Sequence, residues 1–371
     1  MIKNISVIPG DGVGPEITQQ SIKVLDAVAA HFHHQFNYTY CLIGAVAIEE
    51  TGNPLPDKTI ETCLAADAIL FGTVINNGGN IGQSDKANAR DGLDRLRKLL
   101  GLFANIRPVF TYPSLHHLSP LKSKIIEGVD FIVFMELNGG VYIGGKTING
   151  EETTGNDPSI YLTTEIEKIA HLAFSSARER SKKLTLIDNP NVMETSKLWR
   201  KVVREIGLQY PEVSLNFLLA DNAARQLMLN PKQFDVILTE NLLGDIFNEE
   251  ASVISGSLGL LPSASIGISC GLFSPVHSEY PLVSGKDIAN PLGSILSVAM
   301  MLDFFKLEEE AQLVRDAVRW TIESLFVSKD LDPINFYFTS TIGELVSEYI
   351  GGRVSGRVNK ENIELRKSTI I

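Results

Sequence analysis

The stretch Phe234-Asp-Val-Ile-Leu-Thr-Glu-Asn-Leu-Leu-Gly-Asp-Ile-Phe-Asn-Glu-Glu-Ala-Ser252 predicts the fold of this chain. The apolar, β-branched run 236–238 precedes a polar loop that ends at Gly244 and a helix-forming segment, which is the pattern of a buried strand leading into a helix. In that helix Asp245 and Glu249 are four residues apart, so both carboxylates lie on one face and can bind one cation. Such hard oxygen ligands suit Mg²⁺ or Mn²⁺ better than zinc. The alternative is a solvated acidic segment near a helix N-terminus, which the helix dipole favours.

Length and composition indicate a large globular protein. A chain of 371 residues is long enough for two domains, and 44% hydrophobic residues supply a sizeable core. The net charge of -11 argues against nucleic acid and anionic membranes as partners. Cys41, Cys63 and Cys270 have no metal-binding spacing and are expected to be buried, reduced thiols. With neither a signal peptide nor a membrane-spanning run in the sequence, we expect a soluble cytoplasmic protein.

Strands and helices alternate along the chain from its first residues. Ile5–Pro9 is predicted to be a strand, and the glycine-rich segment Gly10–Glu16 a turn into a helix, with glycines that allow either a close ligand approach or a tight turn. The apolar run Ala68–Gly72 is typical of a parallel strand buried on both faces. This alternation predicts an α/β fold with a large central sheet.

Further candidate site residues follow predicted strands and helices. Arg97 and Arg107 flank the end of a basic helix, where their guanidinium groups can bind an anionic substrate, although arginines on a helix often line a solvated face. Tyr142 is presented by a glycine-rich turn after a buried strand, or is simply a packed aromatic residue. Asp221 follows another predicted strand at its carboxyl end, which is where open α/β sheets bind ligands and ions.

About 350 residues of the chain resemble the isopropylmalate/isocitrate dehydrogenase family of β-decarboxylating dehydrogenases, in particular its isopropylmalate branch. The resemblance rests on matching motifs in the family's order, which are Ile8–Glu16, Leu102–Pro108, Glu136–Gly144, Asn191–Arg200, Phe234–Ser265 and Gly285–Met301. It implies a homodimer of two-domain subunits. Residues 1–103 with 253–371 would form the cofactor-binding domain, and residues 104–252 the domain for substrate, metal and dimerisation.

The resemblance also implies the chemistry and the roles of the site residues. Members oxidise a 2-hydroxy acid with NAD⁺ or NADP⁺ and then release CO₂, with Mg²⁺ or Mn²⁺ bound to the substrate. The implied metal ligands are Asp221, Asp245 and Glu249, the last of which is usually aspartate in the family. By the same resemblance, Tyr142 protonates the enol and Arg97 and Arg107 bind the substrate.

Several positions depart from the family pattern. Met135 stands where the family has a third substrate arginine, and Asn189 stands where it has the catalytic lysine. Because an amide does not exchange protons near neutral pH, Asn189 cannot act as the base, and Lys146 or a hydroxide at the metal ion is an alternative. The glycine-rich family segment that follows Phe71-Gly72 is also altered, and it is enlarged at residues 75–90.

The implied cofactor loop differs as well. Leu282 replaces the acidic residue that favours the unphosphorylated ribose, and no cation replaces it, so NAD⁺ is the expected cofactor and NADP⁺ the alternative. Other expected contacts are His277, Gly285, Lys286 and Asn290, although His277 can also be structural and Asn290 a turn residue. Two hypotheses follow. One is an active dehydrogenase of a relative of isopropylmalate, and the other is a catalytically silent paralogue that acts as a ligand-binding or regulatory subunit.

Overall fold

The computed structural model describes residues 1–74, 89–142, 147–149, 154–276 and 282–353. Within these ranges the chain is an α/β protein, which confirms the predicted fold class. Its strands are β1 (Ile2–Gly10), β2 (Gln35–Tyr40), β3 (Ala68–Thr73), β4 (Ala104–Phe110), β5 (Asp130–Glu136), β6 (Thr147–Asn149), β7 (Thr154–Asn156), β8 (Lys183–Asp188), β9 (Ser214–Leu219), β10 (Val236–Thr239), β11 (Pro262–Ile266) and β12 (Gly271–Pro275).

The helices lie between these strands and after them. They are α1 (Gly14–Phe32), α2 (Ala45–Thr51), α3 (Asp57–Ala65), α4 (Ala89–Leu99), α5 (Ser123–Ile126), α6 (Thr163–Glu179), α7 (Glu194–Gly207), α8 (Ala220–Leu229), α9 (Asn241–Ser255), α10 (Leu292–Phe304), α11 (Glu308–Glu323) and α12 (Thr339–Ile350). Across the described ranges, none of them is both long enough and apolar enough to span a membrane. The three cysteines are buried thiols, as predicted.

The chain divides into two compact units. The first unit contains residues 1–101, 112–118 and 256–371, and the second contains residues 102–111 and 119–255. Segment 112–118 belongs to the first unit, although the expected domain boundaries place it within the middle domain.

In the first unit the strands are ordered β2-β1-β3-β12-β11, and β11 runs antiparallel to β12 while the other neighbours are parallel. The glycine-rich turn after β1 serves close packing. Gly10 has a φ of +70°, and a Cβ atom there would lie 1.9 Å from the carbonyl oxygen of Thr73 on β3. The next residue, Asp11, donates its N–H to the same oxygen over 2.8 Å. These contacts favour the tight-turn interpretation of the segment.

In the second unit the strands are ordered β4-β5-β10-β8-β9, with β4 antiparallel to β5 and the others parallel. Both faces are covered. On one face Phe134 lies in a core with Trp199 of α7, and on the other Val133 lies in a core with Phe247 of α9. All four residues of β10 are buried, and α9 begins two residues after it. The predicted strand-to-helix arrangement of 234–252 is therefore confirmed.

Candidate active site

Three of the expected site residues meet in the second unit. The hydroxyl of Tyr142 donates a hydrogen bond of 2.8 Å to Oδ2 of Asp245. A guanidinium nitrogen of Arg107 lies 3.6 Å from Oδ1 of the same carboxylate, and Arg107 also donates to Oδ1 of Asn105 over 2.7 Å. Tyr142 is 51% exposed, so its hydroxyl belongs to a surface polar cluster, and the side chain is not a packed core aromatic.

The local fold explains this meeting of Tyr142, Arg107 and Asp245, which we call the tyrosine–aspartate cluster. Side chains alternate between the two faces of a strand. On β4, Arg107 therefore lies on the same face as Asn105 and as Val109, whose core contains residues of α9. Asp245 lies on α9 itself. The sheet and the helix thus place a cation and an anion side by side.

Met135 forms an apolar wall next to this cluster. It lies opposite Asn105 in the pairing of β5 with β4, and it is 4% exposed. A Cβ atom on Gly244 of α9 would lie 2.5 Å from Cγ of Met135, so the methionine fills the space beside this glycine. A buried thioether side chain cannot pair with a carboxylate, so this wall provides no charge for an anionic substrate group.

The expected metal ligands are surface carboxylates. Glu249 is exposed one helical turn after Asp245 on α9, and Asp221 is exposed in the first turn of α8, where it accepts a hydrogen bond of 2.7 Å from the N–H of Asn222. Among the residues whose positions are known, one chain contains no group of three metal-ligating side chains. The carboxylate oxygens fit a hard divalent cation chemically, but one chain by itself does not gather all three acids.

Asn189 lies at the carboxyl end of β8 and contacts the segment that leads to α7. Its N–H donates to Oγ of Ser196 over 3.0 Å, and its carbonyl accepts from the N–H of Met193 over 3.1 Å. The preceding residue, Asp188, is buried and forms a bidentate ion pair of 2.7 and 2.8 Å with Arg200. The backbone at the expected lysine position is therefore firmly held.

Arg97 lies in the last turn of α4, in the first unit. One of its guanidinium nitrogens is 3.4 Å from Oδ1 of Asp94, and the side chain is 19% exposed. This largely buried position does not match the solvated-face alternative, and its role in substrate binding stays a prediction.

The expected cofactor loop also lies in the first unit. Leu282, Gly285 and Lys286 are exposed, and Gly285 has a φ of +71° with open space where a side chain would begin. The loop is attached to the start of α1, because Ser284 donates to the carbonyl of Gly12 over 2.7 Å. The loop is therefore anchored through Ser284, while Leu282, Gly285 and Lys286 stay exposed.

Asn290, at the end of this loop, is 2% exposed. Its amide nitrogen donates to Oδ2 of Asp330 over 3.1 Å, and its amide oxygen accepts from the N–H of Leu292 over 3.0 Å. These bonds give Asn290 a structural role in the turn before α10, and a contact with a nucleotide stays a prediction. His277, Lys146 and most of the altered segment 75–90 lie outside the described residues.

The sequence analysis did not predict a group of buried polar residues behind the tyrosine turn. Glu136, at the end of β5, is fully buried and accepts hydrogen bonds from the N–H groups of Asn138 over 2.6 Å and Gly139 over 2.8 Å. Burial raises its pKa to about 7, because a low-dielectric environment disfavours the carboxylate. The signal available in the sequence was a glutamate at the end of an apolar strand, just before a glycine pair.

Comparison with known proteins identifies the family of this chain. A family model described as isocitrate/isopropylmalate dehydrogenase matches residues 4–346. The 3-isopropylmalate dehydrogenase of Priestia megaterium is 46% identical over 344 residues, which are 91% of this chain and 92% of the relative. That of Bacteroides fragilis is 42% identical over 348 residues, which are 93% of this chain and 98% of the relative.

Solved structures agree with this result. Isocitrate dehydrogenase from Methylococcus capsulatus superposes with a TM-score of 0.85 at 30% identity, covering 94% of this chain and 99% of that chain. A β-decarboxylating dehydrogenase from Thermococcus kodakarensis gives 0.77 at 30% identity, covering 94% and 96%. The fold and the site define a two-unit α/β protein with a carboxylate, arginine and tyrosine cluster. This chain belongs to the isocitrate/isopropylmalate dehydrogenase family.

Proposed function

We propose that the chain is a metal- and nicotinamide-dependent dehydrogenase of a 2-hydroxy acid related to 3-isopropylmalate, acting by oxidative decarboxylation or a variant of it. The observation that carries the proposal is the tyrosine–aspartate cluster, in which Tyr142, Arg107 and Asp245 converge at the surface of the second unit. Family membership supports the reaction class, and the cluster supplies a proton donor, an anion-binding group and a hard metal ligand at one place.

Each side chain of the cluster has a distinct part in this reaction. Arg107 binds a substrate carboxylate, because its guanidinium group offers paired donors that match the two oxygens. Tyr142 holds the proton that goes to the enol left by the departure of CO₂, and its bond to Asp245 orients the hydroxyl before substrate binds. Asp245 and Glu249 would hold Mg²⁺ or Mn²⁺. When bound, such a cation lowers the pKa of the substrate hydroxyl and stabilises the negative charge that develops.

The metal site is completed, in this proposal, by a second copy of the chain. One chain does not gather Asp221 with the two acids of α9 among its described residues. Leu242, Ile246 and Val253 form an exposed apolar stripe on the same helix, which is typical of a surface that pairs with another subunit. We expect the parent protein to sediment as a dimer and Ile246→Asp as a monomer, and a monomeric parent contradicts the pairing.

The substrate either lacks the anionic group that the third arginine of the family would bind, or is bound more weakly than the usual family substrate. Met135 is buried at the position of the third substrate arginine, and an unpaired carboxylate against it would cost about 1–3 kcal/mol or more. Asn189 also removes the lysine, and losing a general base lowers rate by about 10²–10⁴, which leaves measurable turnover. We therefore expect slow turnover of a relative of isopropylmalate.

The second candidate function is a catalytically silent paralogue that binds a ligand or regulates an active subunit. It is favoured by the combination of Asn189 and Met135, because two functional side chains of the family pattern are absent together. Retention of the tyrosine–aspartate cluster favours the enzyme. A catalytically inactive chain has no evident need for an exposed tyrosine that is hydrogen-bonded to a partly exposed carboxylate.

NAD⁺ is the proposed nucleotide, and NADP⁺ is the alternative. No cation stands at position 282 to bind a 2′-phosphate, which favours NAD⁺. Leu282 is 84% exposed and has no charge with which to reject that phosphate, and Lys286 is an exposed cation of the same loop, so NADP⁺ stays the alternative. A titration of the purified protein with both nucleotides tests the choice. Tight binding of NADP⁺ without binding of NAD⁺ contradicts it.

The test of the function is formation of NADH or NADPH by the purified protein with Mg²⁺ or Mn²⁺ and a panel of malate-type acids, beside the Asn189→Lys variant. Turnover by the parent protein supports the enzyme, and the preferred acid identifies what Met135 accommodates. An inactive parent with an active Asn189→Lys variant supports the silent paralogue instead.

A further inference from the structure

The turn that presents Tyr142 is fixed from behind by a buried polar network in the second unit. Besides its bonds to Glu136, the turn is held by Asn241, whose side-chain amide donates to the carbonyl of Gly139. The N–H of Gly140 donates to the carbonyl of Ile160 over 2.7 Å. Each of these contacts is made by a turn residue within four positions of Tyr142. Together they fix the position of the backbone that carries the tyrosine side chain.

The same network also holds the start of α9, which carries Asp245. Glu240 accepts a hydrogen bond of 2.8 Å from the N–H of Leu243 and another of 2.8 Å from the hydroxyl of Tyr161. Asn241, the first residue of the helix, is also bound to Tyr161, because its N–H donates to the hydroxyl of Tyr161 over 3.3 Å. The two halves of the tyrosine–aspartate cluster therefore share one buried support.

The glycines of the turn leave no room for looser packing. A Cβ atom on Gly139 would lie 2.4 Å from the ring of Tyr161, and one on Gly140, which has a φ of +73°, would lie 2.3 Å from the hydroxyl of Tyr161. The backbone thus lies directly against the aromatic ring. A change in the bonds of Glu136 cannot be absorbed by empty space around the turn.

We infer that Glu136 is a positioning residue for Tyr142: its carboxylate holds the turn through the N–H groups of Asn138 and Gly139, and protonation of that carboxylate releases part of this hold. The inference rests on the proposed function, because it gives Tyr142 a catalytic part. A carboxylate accepts from both N–H donors with charged oxygens, whereas the protonated acid has lost its charge and carries an O–H on one oxygen, so the bond to that oxygen is weakened. The position of Tyr142 then depends on pH.

The surroundings of Glu136 place this change near neutral pH. The pKa of Glu136 is raised to about 7, chiefly by burial and to a smaller extent by the charge of Glu165 at the start of α6, while the two N–H donors oppose the shift. Tyr161, in the segment before α6, interacts electrostatically with both Glu136 and Glu240, which follows β10. Each of these named groups is anionic when ionised, so none of them stabilises the carboxylate form.

Fluorine NMR with fluorotyrosine tests the inference without depending on activity. The nine tyrosines can be assigned by single Tyr→Phe variants, which identify Tyr142 and Tyr161. Tyr161 borders Glu136 and reports whether the acid titrates, while Tyr142 reports whether the change reaches the site. We expect both signals to shift with a common midpoint near the Glu136 pKa of about 7.

Glu136→Gln is the matched variant, and Glu179→Gln, at the exposed end of α6, is its control. The titration of both signals should disappear in Glu136→Gln and persist in Glu179→Gln. A parent protein in which Tyr161 titrates and Tyr142 does not overturns the inference, and so does a parent in which neither signal titrates. Because these outcomes are read in the parent, a poorly folded variant does not remove the test.

Turnover, where it is found, supplies a second readout. We expect kcat of the parent to fall as pH drops through about 7, and this limb to be absent in Glu136→Gln with KM changed less than kcat. An acid limb that persists unchanged in Glu136→Gln overturns the inference. A protein without turnover contradicts the proposed function, and the NMR titration then still decides the role of Glu136.

Discussion

In the second unit, Tyr142 is half exposed and its hydroxyl bonds to Asp245 at the surface, whereas in the first unit Asn290 is buried and both ends of its amide are bonded inside the chain. Both regions match family motifs. They differ in what the matching side chains do in the folded protein. A retained residue type at a family position supports a functional role only where its polar atoms face a place that a ligand can reach.

The same contrast separates the two arginine positions on β4 and β5. Arg107 keeps its charge and lies 3.6 Å from Asp245, while Met135 packs against Gly244. The two strands therefore carry a charged side chain at one of these positions and a buried apolar side chain at the other.

Asp245→Asn should abolish both Mg²⁺-dependent stabilisation and turnover, because an amide binds a hard cation far more weakly than a carboxylate. The measurement is the melting temperature with and without Mg²⁺, followed by the rate of nucleotide reduction. Asp316→Asn, on α11 of the first unit, is the matched control and should respond to Mg²⁺ as the parent does. An Asp245→Asn variant with the parent's response to Mg²⁺ would falsify the metal site.

Tyr142→Phe should lower kcat by about 10²–10⁴ and change the free energy of unfolding by less than about 0.5 kcal/mol. The rate falls because the proton donor is lost, and stability is kept because the ring is 51% exposed. Steady-state kinetics and denaturant unfolding measure the two effects. A variant that is destabilised yet fully active would show that the tyrosine serves packing, and the contrast between the two units would fail.

The free energy of unfolding should depend on pH through Glu136. Its pKa is raised in the folded state from the ordinary 4.5 to about 7. The stabilisation that comes with protonation is therefore complete below about 4.5 and is lost as pH rises through about 7. The loss across this window is roughly 3 kcal/mol. Denaturant unfolding at several pH values should show this slope in the parent and a flatter curve in Glu136→Gln. An identical slope in both proteins would assign it to other groups.

Asn290→Ala should lower the free energy of unfolding by about 1–3 kcal/mol in the absence of any nucleotide, because the buried N–H of Leu292 would lose its side-chain acceptor. Denaturant unfolding measures this cost, and nucleotide titration of the same variant shows whether affinity changes separately. Unchanged stability together with a large loss of nucleotide affinity would mean that Asn290 faces the cofactor after all, and would remove the difference between the two regions.

Local patterns in the sequence were enough to predict part of this molecule. The buried strand at 236–238, the helix that carries Asp245 and the α/β class follow from short-range apolar periodicity, which a single sequence displays. The contact of Met135 with Gly244 and the internal bonds of Asn290 join residues that are distant in sequence. No periodicity encodes such contacts.

The buried polar network was missed for a related reason. Glu136, Tyr161 and Glu240 come from three separate segments, and each is unremarkable in its own segment. Only the packing of β5, β10 and the segment before α6 brings them together and raises the pKa of Glu136. The resemblance to a family indicated the candidate site residues, and the fold determined which of them lie close together.

The most direct test of the central claim is to measure reduced nicotinamide and CO₂ together for the purified parent protein, with Mg²⁺ and its best malate-type acid. We expect metal-dependent formation of both products in equal amounts, and we expect Tyr142→Phe to form both only at a slow residual rate. An absence of both products across the whole panel of acids, with the protein folded and able to bind Mg²⁺, would contradict the assignment of this chain as a dehydrogenase.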